Sequence, residues 1–268
     1  MNRYIGACLV FGGLMALPAQ ADWLETFDGA TPDNPFLLTG FTVDGSAPEG
    51  LISLNTSGGE GFLESTVAPV GSNGNPFAAP YGPAIITALN VTESFTDVTV
   101  TGSVNTADIV NGAPQRVDHS LFARSVPMGG YALVLDVEST LDSLSLVKIA
   151  SDLSVTVLNE IDLSPQSLDG EDRYFLEFAV VGSMLTGRVL SDVGGAPGTL
   201  LGELDATETM FTEGFSGFGV APDSTTGVFS TIRGGFGSLS SAETTVPAPA
   251  AALLLLSGLL LGRFRSKR

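Results

Sequence analysis

Cysteine, histidine and tryptophan occur once each in the 268 residues, and lysine and arginine together number only 11. One cysteine excludes a disulfide scaffold, and one histidine excludes multi-histidine metal chemistry. So few cations against 29 acidic residues, a formal net charge of −18, leave no positive footprint for a nucleic-acid backbone, and nucleic acid is excluded as a partner. No apolar run reaches the roughly 20 residues of a full membrane span. What the chain has in quantity is glycine (33), proline (15) and phenylalanine (16). Its length suits one large β-domain or at most two small ones, with a core large enough to fold without covalent staples.

Both ends are addresses rather than fold. Arg3 precedes an apolar run from Ile5 to Leu17, then Pro18 and Ala19-Gln20-Ala21. That order of basic start, apolar stretch and small residues predicts a secretory signal over residues 1–21, cut before Asp22 and carrying Cys8 away with it. At the other end Val246-Pro247-Ala248-Pro249-Ala250 leads into the apolar stretch to Gly262, and Arg263, Arg265, Lys267 and Arg268 follow. The basic stub is expected to stay cytoplasmic, with all that precedes it outside. Motif, short apolar helix and basic stub in this order resemble the sorting tail of bacterial PEP-CTERM proteins of the VPLPA type. The resemblance, over residues 246–268, implies transient membrane anchoring, recognition by an exosortase-type sorting enzyme, and delivery to the cell surface or extracellular matrix. Residues 22–245 then carry six basic residues against all 29 acidic ones, a net charge of −23. Such a domain is soluble in a saline exterior and repels anionic polymers at low salt.

Within residues 22–245 the apolar pattern has period two. Tyr131, Leu133, Leu135 and Val137 share one face, with Asp136 on the other; Leu153, Val155 and Val157 are expected inward between Ser154 and Thr156. Tyr174–Val181 is nearly continuous, as in a strand covered on both sides, and Gly182-Ser183 turns it into a hairpin with 184–190. Further strands are expected at 36–43, 50–54, 84–90, 94–104, 119–126, 144–149, 200–210, 214–220 and 226–233. Segments 57–61, 68–83 and 192–198, rich in Gly, Asn and Pro, are turn material. Residues 140–150 could place Leu141, Leu144 and Lys148 on a helix face, but their neighbours favour strand. With no repeat and no linker, 22–245 reads as a single all-β domain, an antiparallel β-sandwich.

From about Ser120 to Val220 the order of strands is similar to the concanavalin A-like lectin/glucanase and laminin-G-like superfamily. The hairpin and closing-strand features of that family fall on Tyr174, Phe178, Gly182, Leu185, Val189, Asp205, Thr207, Phe211, Gly214, Gly217 and Gly219, and Leu24–Gly29 suits its first strand. The resemblance implies a jelly-roll, concanavalin A-like sandwich. Its glucanase members carry two acids on one Glu-Ile-Asp-x-(x)-Glu strand. Glu160-Ile161-Asp162 opens that pattern, but Ser164, Pro165 and Gln166 stand where the second acid belongs, and Pro165 argues for a loop. Retaining hydrolysis needs both carboxyls, so no catalytic residue and no enzyme is expected.

His119 lies between Asp118 and Ser120, whose side chains point away from its own, and is expected at the surface or at a strand end. No cofactor is expected; the resemblance leaves structural calcium near Asp28 open. A sugar site wants an aromatic platform, for which Tyr81, Phe77 and Trp23 are the candidates, each weighed against simple packing. The expected function is an exported, non-enzymatic surface or matrix protein that binds extracellular polysaccharide or mediates adhesion. The alternatives are a divergent glycan hydrolase or a purely structural matrix component.

Overall fold

Alternation from Tyr131 to Val137 gives a strand one apolar face, and Tyr131, Leu133, Leu135 and Val137 all enter the main core. The structure is a computed structural model that describes residues 23–42, 52–65, 83–106, 117–126, 129–137, 142–152, 154–168, 173–222 and 232–244. Its strands begin with β1 (Trp23–Glu25), β2 (Phe36–Thr42), β3 (Ile52–Ser57), β4 (Glu60–Ser65), β5 (Pro83–Phe95) and β6 (Val98–Asn105). There follow β7 (Val117–Val126), β8 (Gly129–Val137), β9 (Asp142–Ile149) and β10 (Val155–Asp162). The last are β11 (Arg173–Val181), β12 (Met184–Asp192), β13 (Pro197–Thr207), β14 (Gly214–Pro222) and β15 (Ile232–Glu243). One sheet runs β13-β12-β11-β6-β15-β4-β3, with β1 also on β15; the other runs β10-β9-β8-β7-β14-β5-β2. Every described pairing is antiparallel, and the two sheets face one another as a β-sandwich.

Aromatic rings fill the middle of the core. Phe218 sits edge-on to Phe36 at 5.2 Å and to Phe27 at 6.1 Å, and lies 4.6 Å from Phe236. Glycines flank it on β14. A side chain at Gly217 would collide with the Ala88 carbonyl, and a Cβ at Gly219 would lie 2.7 Å from the Ile86 carbonyl, so β5 approaches β14 closely only because both are glycine.

At one end of the sandwich the turns are tight, and Arg124 ties three of them together. It is 2% exposed, at a bulge in β7 where its φ is 46°. Its Nε donates to the Thr96 carbonyl at 2.5 Å; Nη1 donates to the Gly182 carbonyl at 2.7 Å and the Phe211 carbonyl at 3.1 Å. Nη2 pairs with Asp97 Oδ1 at 3.0 Å, the same oxygen that accepts the Gly182 N–H at 2.7 Å. The β5–β6 turn, the β11–β12 hairpin and the run into β14 are therefore fixed to one guanidinium.

The sequence expectations hold for most strands, 144–149 included, and depart at four places. Glycine hid β4 and most of β15 by breaking the alternation; at Gly61 the Phe27 ring occupies the space of the missing side chain. β10 begins at Val155, and a bulge after Val157 reverses its faces, so Val157 is half-exposed while Leu158 and Ile161 pack on the core. β10 also continues through Asp162, because Pro165 falls inside a short 3-10 turn, Ser164–Gln166, whose start tolerates it. His119 is no surface residue: it is buried, edge-on to Phe236 at 5.3 Å.

Two outcomes test this frame. Arg124→Met strands Asp97 and three carbonyls and is expected to lower unfolding free energy by about 3–5 kcal/mol in urea titration; a loss under about 1 kcal/mol would show that water replaces the clasp. Tyr131 is buried with its hydroxyl accepting the Phe211 N–H at 2.9 Å, and burial raises its phenol above the ordinary value of 10.0. A raised phenol contributes stability that is complete below the unfolded value and is lost as pH rises toward the folded one. The urea midpoint is therefore expected to fall as pH climbs past 10.0, and Tyr131→Phe to flatten that part of the fall.

Candidate functional site

Residues that alternate with the core positions of the seven-stranded sheet form a second cluster on its outer face: Leu89, Phe122, Ala132, Val134, Val147, Ile149 and Ala221. The registers align these into rows that cross the sheet. One row is Leu37, Leu89, Gly217, Phe122, Ala132, Val147 and Val157, apolar from edge to edge. The next toward the β8–β9 connection is Thr87, Gly219, Ser120, Val134, Ser145 and Glu160. Beyond it runs Ala221, Asp118, Asp136, Ser143 and Asp162. The His119–Leu135 pairing, carried one residue on, places Asp118 opposite Asp136; side chains so opposed start about 5 Å apart. The apolar and carboxylate rows are four residues apart, about 13 Å.

Exposure divides this face. Phe122, Val147, Asp118 and Ser120 are buried, whereas Leu37 on β2 and Val157 on β10 are 44% and 51% exposed. The rows are therefore open to solvent only at their ends. At the β10 end Val157, Glu160 and Asp162 are exposed, with Ser145 and Asp136 half-buried beside them. Hydrogen bonds from Ser164, including its backbone N–H at 2.8 Å, hold the Asp162 carboxyl below the usual carboxylate range. Chemically this margin offers acceptors to a ligand rich in O–H donors, next to a small apolar surface.

Of the residues singled out from sequence, Trp23 belongs to the interior. Its ring is buried edge-on to Phe36 at 5.7 Å, and its indole N–H donates to Ser216 Oγ at 2.9 Å. Phe77 and Tyr81 lie outside the described residues, in the segment between β4 and β5. The signal segment and the motif Val246–Ala250 also lie outside them. Asp28 is exposed, and among the described residues no three His, Cys, Asp or Glu side chains gather as a metal ion requires. No described helix is long and apolar enough to cross a membrane. The Asp118–Asp136 juxtaposition was missed; alternation had placed Asp136 outward, but the register that sets Asp118 beside it is not written in either strand alone.

No family model and no curated protein matches the chain. Solved structures do. The CBM2 module of the evolved Dit of Lactobacillus casei BL23 phage J-1 aligns with a TM-score of 0.51 at 15% identity, over 86% of this chain and 98% of that one. LamAcat from Zobellia galactanivorans aligns at 0.49 and 8% identity, over 83% and 97%. The exoplasmic/lumenal domain of VIP36, in its Ca2+/Man3GlcNAc-bound form, aligns at 0.42 and 13% identity, over 76% and 86%. The neighbours are β-sandwich domains, and the chain has the antiparallel β-sandwich, jelly-roll fold that it shares with the first of them.

Because the single tryptophan is spent in the core, its fluorescence is expected to red-shift on unfolding and to stay unchanged when saccharide is added. A ligand-dependent shift in the folded protein would move the binding site to the Trp23 side of the sandwich.

Proposed function

We propose that the protein is an exported, non-enzymatic surface or matrix component that binds polysaccharide at the exposed β10 margin of the outer face of its seven-stranded sheet. The observation that carries this is the β10 margin of that face, where an apolar row, a hydroxyl-bearing row and a carboxylate row lie side by side. Pyranose rings present the complementary surface, C–H faces edged by hydroxyls that donate to carboxylates. The J-1 phage module supports the reading only in that the same architecture serves as a carbohydrate-binding module. Export rests on the signal-like residues 1–21, and sorting by an exosortase-type enzyme on Val246–Ala250 with the tail behind it.

A pull-down against soluble and insoluble polysaccharides, with and without calcium, tests it. Saturable binding to one class is expected, weakened at least about tenfold in a Glu160→Gln/Asp162→Asn double variant through the loss of charge-assisted hydrogen bonds. Binding to no polymer in either condition assigns the protein to the structural components of the envelope instead. Glycan hydrolysis is the second reading: the β7–β8 register, extended one residue past His119–Leu135, sets the buried Asp118 across from Asp136, and a retaining hydrolase needs two carboxyls about 5 Å apart. Release of reducing sugar that disappears in Asp136→Asn would establish it.

A further inference from the structure

Among the described residues, the cations of this protein are spent on its own carboxylates. Six basic residues lie between 22 and 245; the side chains of Arg116 and Arg233 are outside those described. The other four are all paired. Arg124 is enclosed with Asp97 and three carbonyls. Lys148 Nζ lies 2.6 Å from Glu208 Oε2, and Arg173 pairs with Glu60. Arg188 reaches Glu177 and Glu203, each at 2.8 Å. These bonds hold the Glu208 carboxyl below its ordinary value and push the Arg188 guanidinium above its own.

None of the four belongs to the rows of the outer face. Arg173 and Arg188 are on the other sheet, Arg124 sits in the turn clasp, and Lys148 alternates with the outward Val147 and Ile149. The rows bring Glu160 and Asp162 to the exposed β10 margin of that face. Carboxylates accept hydrogen bonds and donate none. A uronate or sulfate group would meet like charge there, within the screening length of about 8–10 Å at moderate salt. A neutral sugar brings hydroxyl donors.

Resting on the sugar-binding reading above, we propose that the ligand is a neutral, hydroxyl-rich polysaccharide and that anionic polymers are rejected. The distribution of cations sets this selectivity: each described Arg or Lys that could have held an acidic polymer is already neutralised by a partner in the fold. The apolar row beside the acceptors has no preference between the two polymer classes, so discrimination comes from charge.

The test is retention of the purified protein on neutral glucan, mannan and galactan against polygalacturonate and dextran sulfate, in chelator, from low to physiological salt. At least one neutral polymer is expected to bind more tightly than either anionic one by about tenfold or more, the discrimination that one opposed charge supplies. An anionic polymer held as tightly as the best neutral one overturns the proposal. Retention on neither class overturns the sugar-binding reading and this proposal with it, an outcome distinct from the first. Glu160→Lys supplies the missing test of cause by placing an uncommitted cation at an exposed position of the face. It is expected to gain binding to dextran sulfate that fades with salt; no gain at low salt would show that charge on this face does not set selectivity, and would overturn the proposal as well.

Discussion

A guanidinium buried in a β-sandwich must find acceptors for its N–H donors or lose several kcal/mol of hydration without return. Arg124 finds them in the backbone of three separate turns and in Asp97. The requirement runs both ways: the turns are short because they converge on one donor, and the donor stays ionised inside because they converge. The β11–β12 hairpin turns at Gly182 with φ 58°, where glycine pays no penalty for a left-handed conformation. Its carbonyl and N–H then address Arg124 and Asp97 from one residue.

Close approach of β14 to β5 is the second constraint, and it shapes the outer face. Gly217 and Gly219 let Leu89 and Phe122 lean over the strand between them, each within about contact distance of the missing Cβ atoms. The apolar row is continuous across β14 for that reason, although β14 itself contributes no side chain to it. Phe218, between the two glycines, points to the opposite face and gathers Phe27, Phe36 and Phe236. One short glycine-phenylalanine segment thus supplies the hub of the core on one side and lets a second buried apolar cluster close over it on the other.

Much of the fold was legible because alternation is a local property. Tyr131–Val137 and Leu144–Ile149 declare their inner faces residue by residue, and the sandwich follows from enough such segments separated by turns. The losses came where local pattern and tertiary context disagree. Gly61 breaks the alternation of β4, yet a phenylalanine from β1's turn fills its place. The bulge after Val157 exchanges the faces of β10 with no warning in composition. His119 was expected at the surface or at a strand end, and instead it lies buried within β7 with its ring packed edge-on against Phe236. The candidate site was legible only in halves. Asp136 and Glu160 were each visible as outward or acidic positions, but a row is made by register between strands, and register depends on turn geometry and core fit far from the residues it aligns.

Charge links the two faces of the problem. A domain with so many carboxylates faces self-repulsion on folding, and its few cations answer this where carboxylates are forced together by the sheet: Arg188 stands opposite Glu203 on β13 and Glu177 on β11, all on consecutive strands. The same economy leaves none of the four described cations for the outer face of the other sheet. If the sugar-binding proposal holds, stability of one sheet and selectivity of the other are two consequences of a single scarcity: removing Arg188 from the β11–β13 ladder exposes Glu177 and Glu203 to one another, whereas the outer face of the other sheet has no described cation to lose.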